Sequence, residues 1–154
     1  SMFDSEIVRV RPLNCYGPFE HYTPYRGFIP KFIYHALNKK PYTVYKGHKR
    51  IIDYVEDSCF TFANISENFV PGEVYNVGGK VEWEMDIKEY SDIVLKTTGG
   101  DPNLVTYKES ENFTTKIKTV DFSKAIKDLN HNPLVDPYEG IKRTTDWMKK
   151  SYDL

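Results

Sequence analysis

The chain has 154 residues, with 21 Lys+Arg against 22 Asp+Glu and a formal net charge of −1, so it is one domain or part of one and lacks the basic excess of a general phosphate-backbone binder. Its hydrophobic share of 40% and aromatic share of 15% supply a core and exclude a disordered chain. No apolar run approaches the roughly 20 residues that cross a bilayer.

The opening Ser1-Met2 has the look of a residue left by tag removal ahead of a start. Glu6 to Arg11 alternates apolar and charged residues, which predicts a strand that Pro12 ends. A loop rich in Pro, Gly and Tyr runs from Asn14 to Gly27. Phe28 to Leu37 has helical apolar spacing, with Pro30 in the first turn and Pro41 as the stop. Tyr42 to Tyr45 and Ile51 to Val55 read as two short strands around Lys46-Gly47-His48-Lys49-Arg50. Asp57 is placed to cap a helix running to about Glu67. Pro71-Gly72 marks a turn before a strand at Val74 to Val77, which Gly78-Gly79 ends. Asp86 caps Ile87 to Thr97, and Gly99-Gly100 closes that helix. Strand-like pieces at Leu104 to Tyr107 and Ile117 to Val120 precede a short helix from Ser123 to Asp128 and a last one from Pro137 to Lys150.

Several clusters could carry chemistry. The loop after the first strand holds Asn14, whose amide suits a sugar hydroxyl or phosphate oxygen, although spacing alone favours an Asx-turn with Tyr16 packed beneath it. Arg50 presents a fork matched to phosphate, yet a solvated basic hairpin tip is the commoner fate of such a cluster. Asn76, at the end of a buried-looking strand, needs a partner in protein or ligand. Cys15 and Cys59 lie far apart without a C-x-x-C, which fits reduced, core-side thiols of an intracellular, cytoplasmic protein. The four histidines lack metal-site spacing. Tyr and Lys mixed along Tyr42 to Lys49 would suit base stacking, but the neutral charge speaks against a nucleic-acid partner.

In order, Arg11-Pro12-x-Asn14-x-Tyr16-Gly17-Pro18, Phe28-Ile29-Pro30-Lys31-Phe32-Ile33, Lys40-Pro41-x-x-Val44-Tyr45, Arg50-x-x-Asp53-Tyr54-Val55-x-Asp57, Gly72-Glu73-x-Tyr75-Asn76-Val77-Gly78-Gly79 and Asp121-Phe122-Ser123-Lys124-Ala125 with Leu129, Pro133, Glu139-Gly140-Ile141 and Trp147 cover nearly all of Ile7 to Trp147. Together they resemble the C-terminal half of an extended short-chain dehydrogenase/reductase, of the NAD-dependent epimerase/dehydratase family acting on nucleotide sugars. The resemblance implies an α/β fold: a small mixed α+β substrate-binding domain over residues 3–154. Residues 7–13 and 74–79 would be leftover strands of a Rossmann-type sheet whose N-terminal half is absent. That half would hold NAD or NADP, a glycine-rich loop and a Tyr-x-x-x-Lys acid/base pair. None of these is expected in this chain, which would not bind the cofactor or turn over substrate alone.

By the same resemblance Asn14 would contact the nucleotide-diphosphate sugar, and Pro12 and Leu13 would lie near the nicotinamide. Phe28, Thr43 and Tyr45 would line the nucleoside pocket, and Arg50 would hold the diphosphate with Asn76 nearby. Three departures stand out. The segment before Arg50 is shortened to Gly47-His48-Lys49. Gly27 stands where dehydratases often place a Lys. Lys116 or Lys118 replaces a second phosphate-binding Arg only as a point charge. A stand-alone nucleotide-sugar or protein-binding module, without a catalytic segment, is the rival reading. The unpaired strand edges of a fragment would also drive self-association.

Overall fold

The computed structural model describes residues 5–110 and 113–154. Helix α1 spans Phe28–Leu37 and buries Ile29, Phe32, Ile33 and Ala36 on one face, as its spacing dictates. Helix α3, Ile87–Thr98, opens on a capping box made by Asp86 and Glu89 and ends at Gly99 with φ of 69°, a left-handed conformation that favours glycine. Helix α5, Pro137–Ser151, begins where the Asp136 carboxylate accepts the Glu139 N–H. These three helices pack together. Their apolar faces enclose the main core with Tyr16, Tyr42, Val44, Ile52 and Tyr54.

Eight short strands form four two-stranded pairs among the described residues. Strands β1 (Arg9–Pro12) and β6 (Val74–Val77) are parallel, in register from Arg9 opposite Val74 to Pro12 opposite Val77. Strands β2 (Cys15–Tyr16) and β5 (Asp53–Tyr54) are also parallel. So are β3 (Tyr42–Tyr45) and β8 (Val105–Lys108), while β4 (Lys49–Arg50) runs antiparallel to β7 (Met85–Asp86). The β1–β6 pair has its own core, in which Tyr75 and Val77 meet Ala125 and Leu129 of helix α4 (Ser123–Leu129), with Val8 and Val10 packed alongside. The chain is thus mixed α/β with parallel strands, and the two strands expected to face missing neighbours pair with each other.

Four local expectations change. The run Ile51 to Val55 is a strand only at Asp53–Tyr54, because Val55 already starts helix α2, Val55–Asn64. Asp57 is therefore not the cap. It lies buried inside the first turn of α2, where its Oδ2 accepts the Val135 N–H at 3.0 Å and fastens the segment before α5. Ile117 to Val120 forms no strand and contributes one bridge, Ile117 opposite Lys49. The basic segment is no hairpin tip either, since β3 and β4 pair with different strands and His48 is buried.

Gly78 and Gly79 end β6 for steric reasons. A Cβ at Gly79 would collide with the carbonyl oxygen of Ile52, and one at Gly78 with the ring of Phe122. Replacing Gly79 by Ala forces backbone apart rather than a flexible side chain. Gly79→Ala is expected to destabilise the protein by about 1–3 kcal/mol, seen as a lower denaturation midpoint by circular dichroism.

A cation-lined aromatic cavity as the candidate functional site

The segment Ile51 to Tyr54 is wholly buried, with each residue at most 2% exposed. Only Asp53–Tyr54 is strand, so its preceding carbonyls need other partners. The Tyr90 hydroxyl reaches the Arg50 carbonyl at 2.9 Å, and the Asn14 side-chain amide donates to the Ile51 carbonyl at 2.8 Å. Asn14 itself has φ of 49°, a conformation Asn tolerates better than most residues. Among the described residues no Asx-turn bond forms; the Asn14 amide instead ties the loop after β1 to this buried segment, with Tyr16 buried nearby. Leu13, at the end of β1, packs with Ile51 and Phe122.

Beside this segment lies a cavity of about 300 Å³. Phe28 and Phe32 of α1, Thr43 and Tyr45 of β3, and Arg50 of β4 line it together. Four residues singled out from the sequence thus converge: Phe28, Thr43, Tyr45 and Arg50. The strand alternation of β3 explains part of this, because Tyr42 and Val44 turn into the core while Thr43 and Tyr45 face the cavity. Asn14 lines a smaller neighbouring niche that shares Phe28. Asn76 lies elsewhere on β6, where its amide donates to the Asp121 carbonyl at 3.2 Å.

Arg50 is held before any ligand arrives. Its guanidinium donates to the carbonyls of Lys49 and Thr115 at 2.7 Å each and of Lys116 at 3.1 Å. Three of its five N–H donors are thereby occupied, and its charge is held on the cavity wall. Lys116 contributes its carbonyl, not its amine. The additional cations come instead from Arg26 and Lys31, which sequence reasoning passed over. Lys31 was legible, since it follows Phe28 by three positions on α1. Arg26 sits in an irregular loop with no periodicity to place it. Among the described residues no carboxylate lines this cavity, and three cations share its wall with aromatic rings. Such a surface suits an anion attached to a flat ring.

Beneath it, Asp53 is buried and accepts a hydrogen bond from the Ser58 hydroxyl, while its Oδ1 has no partner. Burial pushes its carboxyl up to about 7, with the Ser58 hydrogen bond opposing and the neighbouring Asp57 charge adding to the rise. Burial also raises the Cys15 thiol. Cys59, expected on the core side, is exposed.

The glycines after β6 are used for close protein packing, and the turn that follows is a three-residue 3₁₀ helix, Val81–Trp83, too short to present a phosphate site. The spacing Tyr-x-x-x-Lys does occur, contrary to expectation, at Tyr42/Lys46, Tyr45/Lys49 and Tyr138/Lys142. The first lies on a strand and the turn after it: the Tyr42 hydroxyl is buried against Ser91 at 3.1 Å, and Lys46 pairs with Glu109 at 2.9 Å. The last lies one turn apart on α5, where both residues line an open cleft beside α3. Among the described residues no cluster of His, Cys, Asp and Glu could hold a metal ion, and no helix is long and apolar enough to cross a membrane.

Parallel strands with intervening helices define a mixed α/β protein. The family model for the NAD dependent epimerase/dehydratase family matches residues 1–78, and the chain belongs to that family. A dTDP-glucose 4,6-dehydratase of Actinoplanes sp. is 29% identical over 146 residues, which cover 94% of this chain and 44% of that relative. A UDP-N-acetyl-alpha-D-glucosaminuronate decarboxylase of Bacillus cytotoxicus is 28% identical, over 94% of this chain and 46% of its own length. Among solved structures, an epimerase of Methanothermobacter thermautotrophicus superposes with a TM-score of 0.88 at 27% identity, covering 99% of this chain and 46% of that one. A UDP-glucuronic acid 4-epimerase of Bacillus cereus, solved with UDP-glucuronic acid and NAD, gives a TM-score of 0.81 at 26% identity, over 96% and 46% of the two chains. The chain spans less than half the length of each of these relatives.

Asp53 sets a pH dependence whose sign is fixed. Its carboxyl ordinarily titrates near 3.8 and in the fold near 7, so between these values unfolding releases a proton. Raising the pH from about 4 to about 7 should therefore lower stability by at most roughly 1.4 kcal/mol per pH unit from this group. Chemical denaturation at pH 5 and pH 8 should show the wild type losing stability with rising pH. Asp53→Asn should lose less.

Proposed function

We propose that the cavity between α1, β3 and β4 binds the nucleoside diphosphate of a nucleotide sugar, and that the chain is the substrate-binding part of a nucleotide-sugar epimerase or dehydratase. One observation carries this reading: Phe28 and Tyr45 line one cavity together with three cations, Arg26, Lys31 and Arg50, and with no carboxylate among the described residues. The rings match the base and ribose, and the cations match the two phosphates. Thr43 supplies a hydroxyl between them. The dTDP- and UDP-linked names of its relatives agree with a pyrimidine nucleotide.

In this reading NAD or NADP and the proton-transferring groups belong to a Rossmann half outside these residues. Two features support it. A parallel pair of strands ordinarily lies within a larger sheet covered on both faces, whereas three of the four β1 residues here are exposed. Pro12 and Leu13 end this strand, at the edge where such a sheet delivers its ligand-facing loops. Asn14, through its position over the buried segment, would orient the sugar end, and Asn76 would shape the loop at Asp121 rather than touch the phosphates.

Two outcomes test this. Isothermal titration of the chain with UDP and dTDP should show binding that Arg50→Ala weakens at least about tenfold and Lys31→Ala by a smaller factor, with thermal melting confirming that each variant is folded. No nucleotide binding by the folded wild type would sink the proposal, and turnover of any nucleotide sugar by the chain alone would sink the assignment of the chemistry to another segment. Because the free β1 edge is an open template, the chain should self-associate with rising concentration in sedimentation equilibrium. A monomer throughout would show that the edge needs no cover.

A further inference from the structure

The irregular loop between β2 and α1 carries Arg26 and Pro24 to the wall of the cavity. Arg50 owes its place there to three carbonyls, whereas Arg26 is placed by the path of its loop. The backbone bonds within that loop are short turns, closed by the N–H groups of Glu20, His21 and Arg26 at 3.1–3.3 Å. Its shape therefore has to be imposed by neighbouring elements. The end of α5 is one of them. The Tyr22 N–H donates to the Tyr152 hydroxyl oxygen at 3.1 Å, and the same hydroxyl lies 3.2 Å from Nδ1 of His21. A backbone N–H can only donate, which leaves the hydroxyl hydrogen for the imidazole nitrogen. One hydroxyl thus holds two consecutive loop residues. Trp147, earlier on α5, packs against the rings of Phe19 and His21, with centroids 5.7 and 5.2 Å away. Helix α1 holds the other side of Tyr22. Its ring stacks on Tyr34 at 4.1 Å, and its hydroxyl lies 3.1 Å from Nε2 of His35.

We infer that Tyr152 is a positioning residue for the nucleotide cavity, holding Arg26 at the diphosphate through the loop after β2. The inference rests on the nucleotide reading of that cavity. Tyr152 lies outside the residues that line the cavity, so it touches no ligand there and acts through the loop. Tyr22 is fixed by α5 on one side and by α1 on the other, and Gly27 leads directly into Phe28 of α1. The stretch from Thr23 to Gly27 therefore runs between two fixed points. Within it the Arg26 N–H closes a turn on the Thr23 carbonyl at 3.3 Å. Fixing both ends limits where Arg26 can stand, and a cation already in place loses less freedom when the diphosphate binds. The Tyr152 ring packs edge-on against His21 and Tyr34, with centroids 5.8 and 5.7 Å away. Tyr152→Phe keeps that packing and removes only the hydroxyl.

The test is a double-mutant cycle on the full chain, read by isothermal titration with UDP, with thermal melting to show that each variant is folded. Tyr152→Phe should weaken UDP binding roughly fivefold, the loss expected for one or two hydrogen bonds. Arg26→Ala should weaken it about tenfold. In the Arg26→Ala background Tyr152→Phe should then cost less than about twofold, while in the Arg50→Ala background it should keep its full effect. A merely structural role would cost the same in both backgrounds. Trypsin cleavage after Arg26 gives a second reading that needs no ligand, and it should be several-fold faster in Tyr152→Phe. Equal UDP affinity in wild type and Tyr152→Phe, or the same loss in both backgrounds, would overturn the role of Tyr152 while leaving the nucleotide cavity standing. Unchanged cleavage at Arg26 would overturn it too. Failure of the folded wild type to bind UDP would remove the nucleotide reading and this inference with it.

Discussion

The buried run from Ile51 to Tyr54 is what the rest of the molecule is arranged around. It passes through the interior with strand pairing only at Asp53 and Tyr54, and a buried peptide group left unpaired is costly. The fold meets this with groups from distant segments, Tyr90 of α3 on the Arg50 carbonyl and Asn14 on the Ile51 carbonyl, while the glycine at 79 leaves the Ile52 carbonyl the room a side chain would take. Each of these contacts also fixes a loop. The same constraint therefore positions the segment after β1, the turn after β6 and the start of α3 relative to one another.

The site follows from that arrangement. Once Ile51 is anchored, Arg50 emerges at the edge of the core, where the carbonyls of Lys49, Thr115 and Lys116 take up part of its guanidinium. A cation held this way loses little further freedom when an anion binds, which is the advantage of preorganisation. The stacked rings of Phe32 and Tyr42, 4.8 Å apart, similarly lock α1 to β3, so that Phe28, Thr43 and Tyr45 face the cavity from a rigid wall. Asp53 belongs to the interior beneath this wall. Its burial keeps the carboxyl protonated until the pH approaches about 7.

Much of this was legible, and the residues show why. The boundaries of α1, β3 and β6 agree with the residues that periodicity and turn chemistry single out, and α3 runs one residue further, because capping, Gly and Pro signals act within a few positions. The convergence of Phe28, Thr43, Tyr45 and Arg50 came from ordered motifs resembling a family, not from spacing. Asp57 was misassigned because an Asp ahead of a helical pattern looks like a cap, while its true partner, Val135, lies far along the chain. The run at Ile117 to Val120 is apolar enough to look like a strand, yet only one bridge to Lys49 is available there. Arg26 was missed for another reason: it sits in an irregular loop, and only its place on the cavity wall marks it.

The one-domain-sized, charge-balanced, aromatic-rich sequence by itself determined the local elements, since hydrogen bonds within four residues and apolar periodicity are properties of the chain alone. Through its ordered motifs it also carried the mark of its family. Tertiary structure alone decided that β1 pairs with β6 in parallel and that the basic segment after β3 crosses to β7 rather than folding into a hairpin. It alone decided that the Asp53 carboxylate is buried with an oxygen unmatched and that three cations line one cavity. Those outcomes depend on burial and on partners many tens of residues apart, where desolvation and long-range hydrogen bonding outweigh any local preference.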